Sequence, residues 1–173
     1  MSSETRLSQP VHLRPATDAD QPRLVALVNA AFSIETFLDG TRTDPERMAA
    51  MMRKGTILVA ELVAEQAAEN DAGRLLASVY IELRGKRGYM GMLAVDPSCQ
   101  GTGLASLLVK AAEDRMRVAG CEAVDISVLS LRPELLPIYR RFGFIETGTE
   151  EFKFPRTFRE PVECHCILMS KPL

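Results

Sequence analysis

The stretch from Tyr89 to Ala119 restricts the possible fold more than any other part of the chain. Tyr89-Met90-Gly91-Met92-Leu93-Ala94-Val95 carries no charge and is apolar on both sides, so both faces of that strand must be covered. Gly91 in its middle points to a bulge or to a close backbone approach. Asp96-Pro97 turns the chain, and Gln100-Gly101-Thr102-Gly103 forms a glycine-bearing loop. From Leu104 onward, apolar residues recur at 104, 107, 108, 111, 112 and 116, the stripe of an amphipathic helix that stops at Gly120. A buried strand passing through a tight loop into such a helix belongs in a sheet with helices on both faces.

The rest of the chain reads consistently with that core. Val11–Arg14 alternates as a first strand, and Thr17 or Asp18 caps a helix with apolar positions 24, 27, 28, 31 and 32. Asp44-Pro45 is an N-cap followed by proline at the first helical position, so a short helix runs to Lys54 and stops at Gly55. Thr56–Val63 and Leu75–Leu83 read as strands joined by a hairpin loop over Glu65–Gly73, with a second turn over Arg84–Gly88. Val124–Leu129 is a buried strand and Pro133–Phe142 a short helix whose start Pro137 could delay. One strand opens at Phe144-Ile145 and the last covers Cys164–Met169. The fold class is therefore α/β or α+β.

With 173 residues, one domain over 1–173 is expected, residues 1–9 forming a loose polar tail. A net charge of −2 with no basic stripe excludes a nucleic-acid partner from the expectation. No apolar run reaches the roughly 20 residues of a membrane span, and Met1–Arg6 lacks a signal-peptide core, so a cytoplasmic location is expected. Of four cysteines only Cys164 and Cys166 lie close together, around His165. No second pair stands at ligand spacing, and no metal is expected.

The loop before the long helix can hold an anion on unpaired backbone N–H groups. Three phosphate cradles compete for the pattern. The P-loop needs a lysine where Leu104 stands, and G-x-G-x-x-G fails at Ser106. Gln100-x-x-Gly103-x-Ala105 satisfies the remaining signature, (Gln/Arg)-x-x-Gly-x-(Gly/Ala). On these residues, together with Leu93-Ala94-Val95-Asp96-Pro97, Tyr139-Arg140-Arg141-Phe142-Gly143-Phe144 and the opening Leu13–Thr17 with Asp20, the chain resembles the GNAT superfamily of N-acetyltransferases.

The resemblance implies a mixed, mostly antiparallel twisted sheet of about six to seven strands flanked by about four helices, with the fourth and fifth strands splayed. It implies transfer of an acetyl group from acetyl-CoA to a primary amine of a small molecule or peptide, directly within a ternary complex. The alternative is a non-catalytic acyl-CoA sensor of the same fold. Backbone N–H groups of Gly101, Thr102, Gly103, Leu104, Ala105 and Ser106, following Gln100, would hold the pyrophosphate. Leu93, Ala94 and Val95 would pair with the pantetheine arm as an added strand, and the Leu93 region would polarise the thioester carbonyl. Tyr139 matches the family's general acid.

Departures from the pattern concern the acceptor half. Arg132 stands where relatives often carry asparagine, and the fourth strand lacks the glutamate that many use as base. The base is then a water relay or a carboxylate from elsewhere: Glu82, on the preceding strand, is the nearest by topology, and Glu35 and Asp39 are other candidates. The segment from Ile34 to Asp44 is the expected acceptor wall, offering Glu35 and Asp39 to an amine and Arg42 to a carboxylate. His165 is a further acceptor contact, and the resemblance allows a homodimer through the C-terminal strands.

Overall fold

A computed structural model describes residues 10–63 and 73–173. β1 (Val11–Pro15) leads through one tight turn at Asp18–Asp20 into α1 (Gln21–Ala31), then an irregular segment and α2 (Pro45–Lys54). β2 (Thr56–Leu62), β3 (Leu75–Arg84) and β4 (Arg87–Val95) follow. α3 (Leu104–Val118), β5 (Ala123–Leu129), α4 (Leu135–Arg141), β6 (Ile145–Glu151) and β7 (His165–Pro172) complete the chain. The expected tail 1–9 and all but Gly73 of the expected hairpin loop lie outside the described residues.

Local chemistry sets the boundaries. Thr17 caps the helical turn Asp18–Asp20 that runs directly into α1, and Asp20 closes a capping box with it. Its carboxylate accepts the Thr17 N–H at 2.8 Å and the Arg14 guanidinium at 2.7 Å. α2 starts as its sequence dictates, with Asp44 Oδ1 accepting the Arg47 N–H at 2.8 Å. α4 is shorter than expected but retains Pro137 as its third residue, where a missing N–H breaks no helical bond. β7 runs past Met169 to Pro172 because β5 pairs with it on one side and β6 on the other.

The seven strands form one sheet in the order β1-β2-β3-β4-β5-β7-β6, antiparallel everywhere except between β4 and β5. Alternate residues of β2 serve opposite faces. Ile57 and Val59 pack with Leu24, Leu27, Val28 and Met48 from α1 and α2. Leu58, Ala60 and Leu62 pack with Leu104, Leu108, Ala112 and Met116 from α3. The helices thus cover both faces and fix where α3 begins relative to β4. Among the described residues no helix is long and apolar enough to cross a membrane.

The parallel pair is the sheet's irregularity. Arg87, Gly88 and Tyr89 pair with Ala123, Val124 and Asp125, and beyond these the two strands part. On its other edge β4 bulges: Ser78 faces Ala94 and Tyr80 faces Gly91, leaving Met92 and Leu93 together opposite Val79. Met92 has φ of 48°, a conformation that long side chains seldom adopt. The bulge therefore sits one residue past Gly91. It adjoins the glycine as the first expectation has it, and the close approach is not by backbone: a Cβ on Gly91 would meet the Tyr89 side chain, its hydroxyl at 2.9 Å.

Candidate active site

The wedge between β4 and β5 opens into a cavity of about 1080 Å³. Gly91 to Leu93 and Val95 line one side, Ile126 to Leu129 the other, and the start of α3 closes one end. Gly101 and Gly103 have φ of 76° and 87°, and Gly103 occupies the N-cap position of α3. Their left-handed backbone turns the loop so that the first N–H groups of α3 face the cavity without helical partners. The loop is braced by Thr102 Oγ1, which donates to the Cys99 carbonyl at 2.5 Å. No side chain would obstruct an anion above Gly101, around whose missing Cβ there is open space.

Tyr139, on α4, lines the same cavity. Its ring is held edge-on by Phe142 at 6.3 Å and Phe144 at 5.9 Å between centroids. Among the described residues its hydroxyl has no hydrogen-bond partner, so the phenol proton is available to a ligand. Burial is the main influence on its pKa, pushed up to about 12. It therefore stays protonated at neutral pH and can act only as an acid there.

The opposite wall is ionic. Glu35 is buried, and three guanidiniums surround its carboxylate. Arg42 Nη1 lies 3.2 Å from Oε2, Arg156 Nη1 3.1 Å from Oε2, and Arg132 Nη1 3.3 Å from Oε1. Arg42 also stacks over Phe32 and Phe154, at 4.6 and 5.2 Å from their centroids, and its Nε approaches Met92 Sδ at 3.2 Å. These contacts bring the segment after α1, the β5–α4 turn and residues 154–156 together beside the β4 bulge.

The structure brings some of the expected residues together and leaves others apart. Leu93, Val95, Gln100, Gly101, Gly103, Leu104, Ala105, Ser106, Tyr139, Glu35 and Arg42 all line the cavity. Ala94 does not; it is fully buried on the opposite face, against α1. Thr102 directs its hydroxyl to the loop itself. Glu82 does not fit the role of base. It stands outside the lining, its carboxylate accepts from Arg84 Nε and Tyr80 Oη at 2.9 Å each, and Lys54 Nζ lies 3.3 Å away. Arg84 above all holds its pKa down, to about 2.

Asp39 also lies off the cavity, with its carboxylate 3.5 Å from Arg159 at an exposed position. His165 opens β7 on the surface, its N–H donating to Ser130 Oγ at 3.1 Å. Glu35 reaches the cavity, but its lone pairs are occupied by arginines and not offered to an ammonium. Arg156 and Phe154 were not among the expected residues. They follow β6 in a segment with no periodicity, which backbone bonds of Asp39 with Thr157 and of Arg159 with Phe37, beside the Leu38–Phe158 bridge, bring against the acceptor wall.

Comparison with known proteins matches the chain over residues 28–155 to the acetyltransferase (GNAT) domain family. It is 29% identical over 147 residues to a mycothiol acetyltransferase of Propionibacterium freudenreichii, covering 85% of this chain and 47% of that protein. The chain thus spans about half the length of that curated relative. Among solved structures, the ribosomal-protein-S18-alanine N-acetyltransferase of Escherichia coli superposes with a TM-score of 0.70 at 16% identity, covering 94% of both chains. A Bacillus subtilis acetyltransferase in complex with CoA superposes with a TM-score of 0.66 at 14% identity, covering 95% of this chain and 99% of that one. At these identities the structural likeness is one of fold.

Proposed function

This chain belongs to the GNAT acetyltransferase family, and on that premise we propose that it moves an acetyl group from acetyl-CoA to the primary amine of a small molecule or peptide. One observation carries the reading. The cavity that begins where β4 and β5 part contains both the N-terminus of α3 and a phenol with no hydrogen-bond partner among the described residues. A pyrophosphate fits the loop's free N–H groups, with Gly101 and Gly103 supplying a turn that other residues would strain. The pantetheine arm would lie along the unpaired edge of β4 at Leu93 and Val95.

In the proposed reaction the amine attacks the thioester carbonyl, a C–N bond forms and the C–S bond breaks. The N–H groups near Leu93 stabilise the oxygen's growing charge. Tyr139 gives its proton to the departing thiolate, and the amine's proton leaves to water. The same reading includes a cytoplasmic location. A homodimer through the C-terminal strands would use β6, the exposed edge of the sheet.

Thermal denaturation with and without acetyl-CoA, followed by thiol release with a panel of amines, tests the proposal. Acetyl-CoA at ~100 times its Kd should add about 2.7 kcal/mol of stability, and at least one amine should accelerate CoA release. Stabilisation with no release by any amine leaves the sensor reading; absence of stabilisation refutes both.

A further inference from the structure

The protein carries a net charge of −2, yet five arginines and only two glutamates line its cavity. The surplus is concentrated on the acceptor side, where Glu35 is shared by Arg42, Arg132 and Arg156. Glu134 also pairs with Arg132, so two carboxylates among three guanidiniums leave a local excess of one positive charge. The three arginine side chains are only 13%, 13% and 7% exposed, so solvent screens that excess poorly.

The three are not equivalent. Arg156 uses all three of its nitrogens: Nε donates to the Asp39 carbonyl, Nη2 to those of Leu38 and Gly40, and Nη1 to Glu35. It holds the wall together. Arg42 engages Glu35 through Nη1 and Met92 through Nε. Arg132 engages Glu35 through Nη1 and Glu134 through Nε. Among the described residues the Nη2 atoms of Arg42 and Arg132 have no hydrogen-bond partner. Two guanidiniums anchored on one carboxylate therefore each keep a donor edge for a ligand that lines up with both.

That ligand is not the pyrophosphate. Arg42 touches Met92, three residues before the end of β4, so the strand's rise of ~3.3 Å per residue puts the cluster about 10 Å from the exit toward the loop. It sits instead beside the bulge, where the acceptor meets the thioester in the reaction proposed above. We infer that the acceptor is a small amine bearing its own anionic group, a carboxylate or a phosphate, held by Arg42 and Arg132. This inference rests on the transferase reading.

Matched acceptors test it: an amino acid against its methyl ester, and a phosphorylated amino alcohol against the free amino alcohol, with a polyamine as cationic control. CoA release should favour the anionic member of at least one pair by about tenfold or more in kcat/KM, and the pair that responds identifies the oxyanion. Arg42→Gln and Arg132→Gln should each raise KM for that acceptor about tenfold or more while leaving KM for acetyl-CoA in place. Arg42→Lys, which keeps the charge and the fold of the wall, should recover part of the loss. Acetyl-CoA binding accompanied by equal or better use of the ester, neutral amine or polyamine overturns the inference alone. Unchanged KM in both arginine variants, each shown folded by its melting temperature, overturns it as well. CoA release with no amine overturns the transferase reading and this inference together.

Discussion

Replacing Tyr139 by phenylalanine removes one oxygen and separates the acid role from a packing role. The ring contacts with Phe142 and Phe144 survive the change, and the lost hydroxyl has no partner among the described residues. Stability should therefore stay within about 0.5 kcal/mol of the parent. Acetyl-CoA affinity should also hold, because the proposed pyrophosphate cradle is the backbone of Gly101 to Ser106, which the substitution leaves unchanged. The reaction should suffer. A positioned general acid contributes roughly 10²- to 10⁴-fold, and at 1.36 kcal/mol per tenfold this is about 2.7–5.4 kcal/mol of barrier. The assay is kcat for CoA release with a saturating acceptor, under conditions where chemistry limits turnover. A second donor sharpens it: an acetyl thioester of a more acidic thiol needs no proton to leave, so the variant should regain most of its rate. With a pKa near 12, Tyr139 should impose no falling limb on the pH–rate profile at neutral or moderately alkaline pH. Equal kcat in parent and variant, or a deficit that the acidic thiol fails to repair, refutes the acid role.

Other parts of the structure make equally definite demands. Gly103→Ala places a Cβ at φ of 87° and should cost about 1–2 kcal/mol; acetyl-CoA KM should rise about tenfold while kcat at saturation changes less. Leu108→Ala empties a fully buried site between α3 and the sheet and should lower unfolding free energy by about 2.7–5 kcal/mol, read by urea denaturation. Asp20, held by Arg14 and almost fully buried, has its pKa depressed well below the ordinary carboxylate range. Its contribution is thus complete above about pH 4, the unfolded value, and is lost as pH falls toward the folded value. Asp20→Asn should cost about 1.5–3 kcal/mol at neutral pH and flatten the acid limb of the stability profile.

What the sequence made legible depended on whether a feature was local. The turn from β4 to α3 could be read because its glycines, its proline and the helix stripe all act within a few residues of one another. Tyr139 could be read because it sits in a motif of contiguous residues. The acceptor wall could not, because it is assembled from segments far apart in the chain: Glu35 and Arg42 after α1, Arg132 between β5 and α4, Arg156 after β6. Nothing in the spacing of these residues announces that they share one carboxylate. Glu82 shows the converse difficulty. Its position on β3 was correctly anticipated, but only coordinates reveal Arg84, Tyr80 and Lys54 around it. Arg132 looked like a lost asparagine and proves to be a gained cation.

The same charge arrangement bears on how the acceptor amine loses its proton. Among the described residues, Glu35 and Glu134 are the only carboxylates lining the cavity, and both are engaged by arginines. A dedicated carboxylate base is not required if the site itself disfavours the ammonium. An amine placed beside Arg42 and Arg132 feels like charges in a partly desolvated pocket, and both effects lower its pKa. Its proton can then pass to water before attack, while the acceptor's own anionic group, bound to the same arginines, supplies the affinity that a repelled ammonium could not. Binding and deprotonation would thus be two consequences of one cluster. The glutamate missing from β4 is then consistent with the proposed chemistry, since a carboxylate there would pair with the ammonium and oppose the deprotonation that the arginines favour.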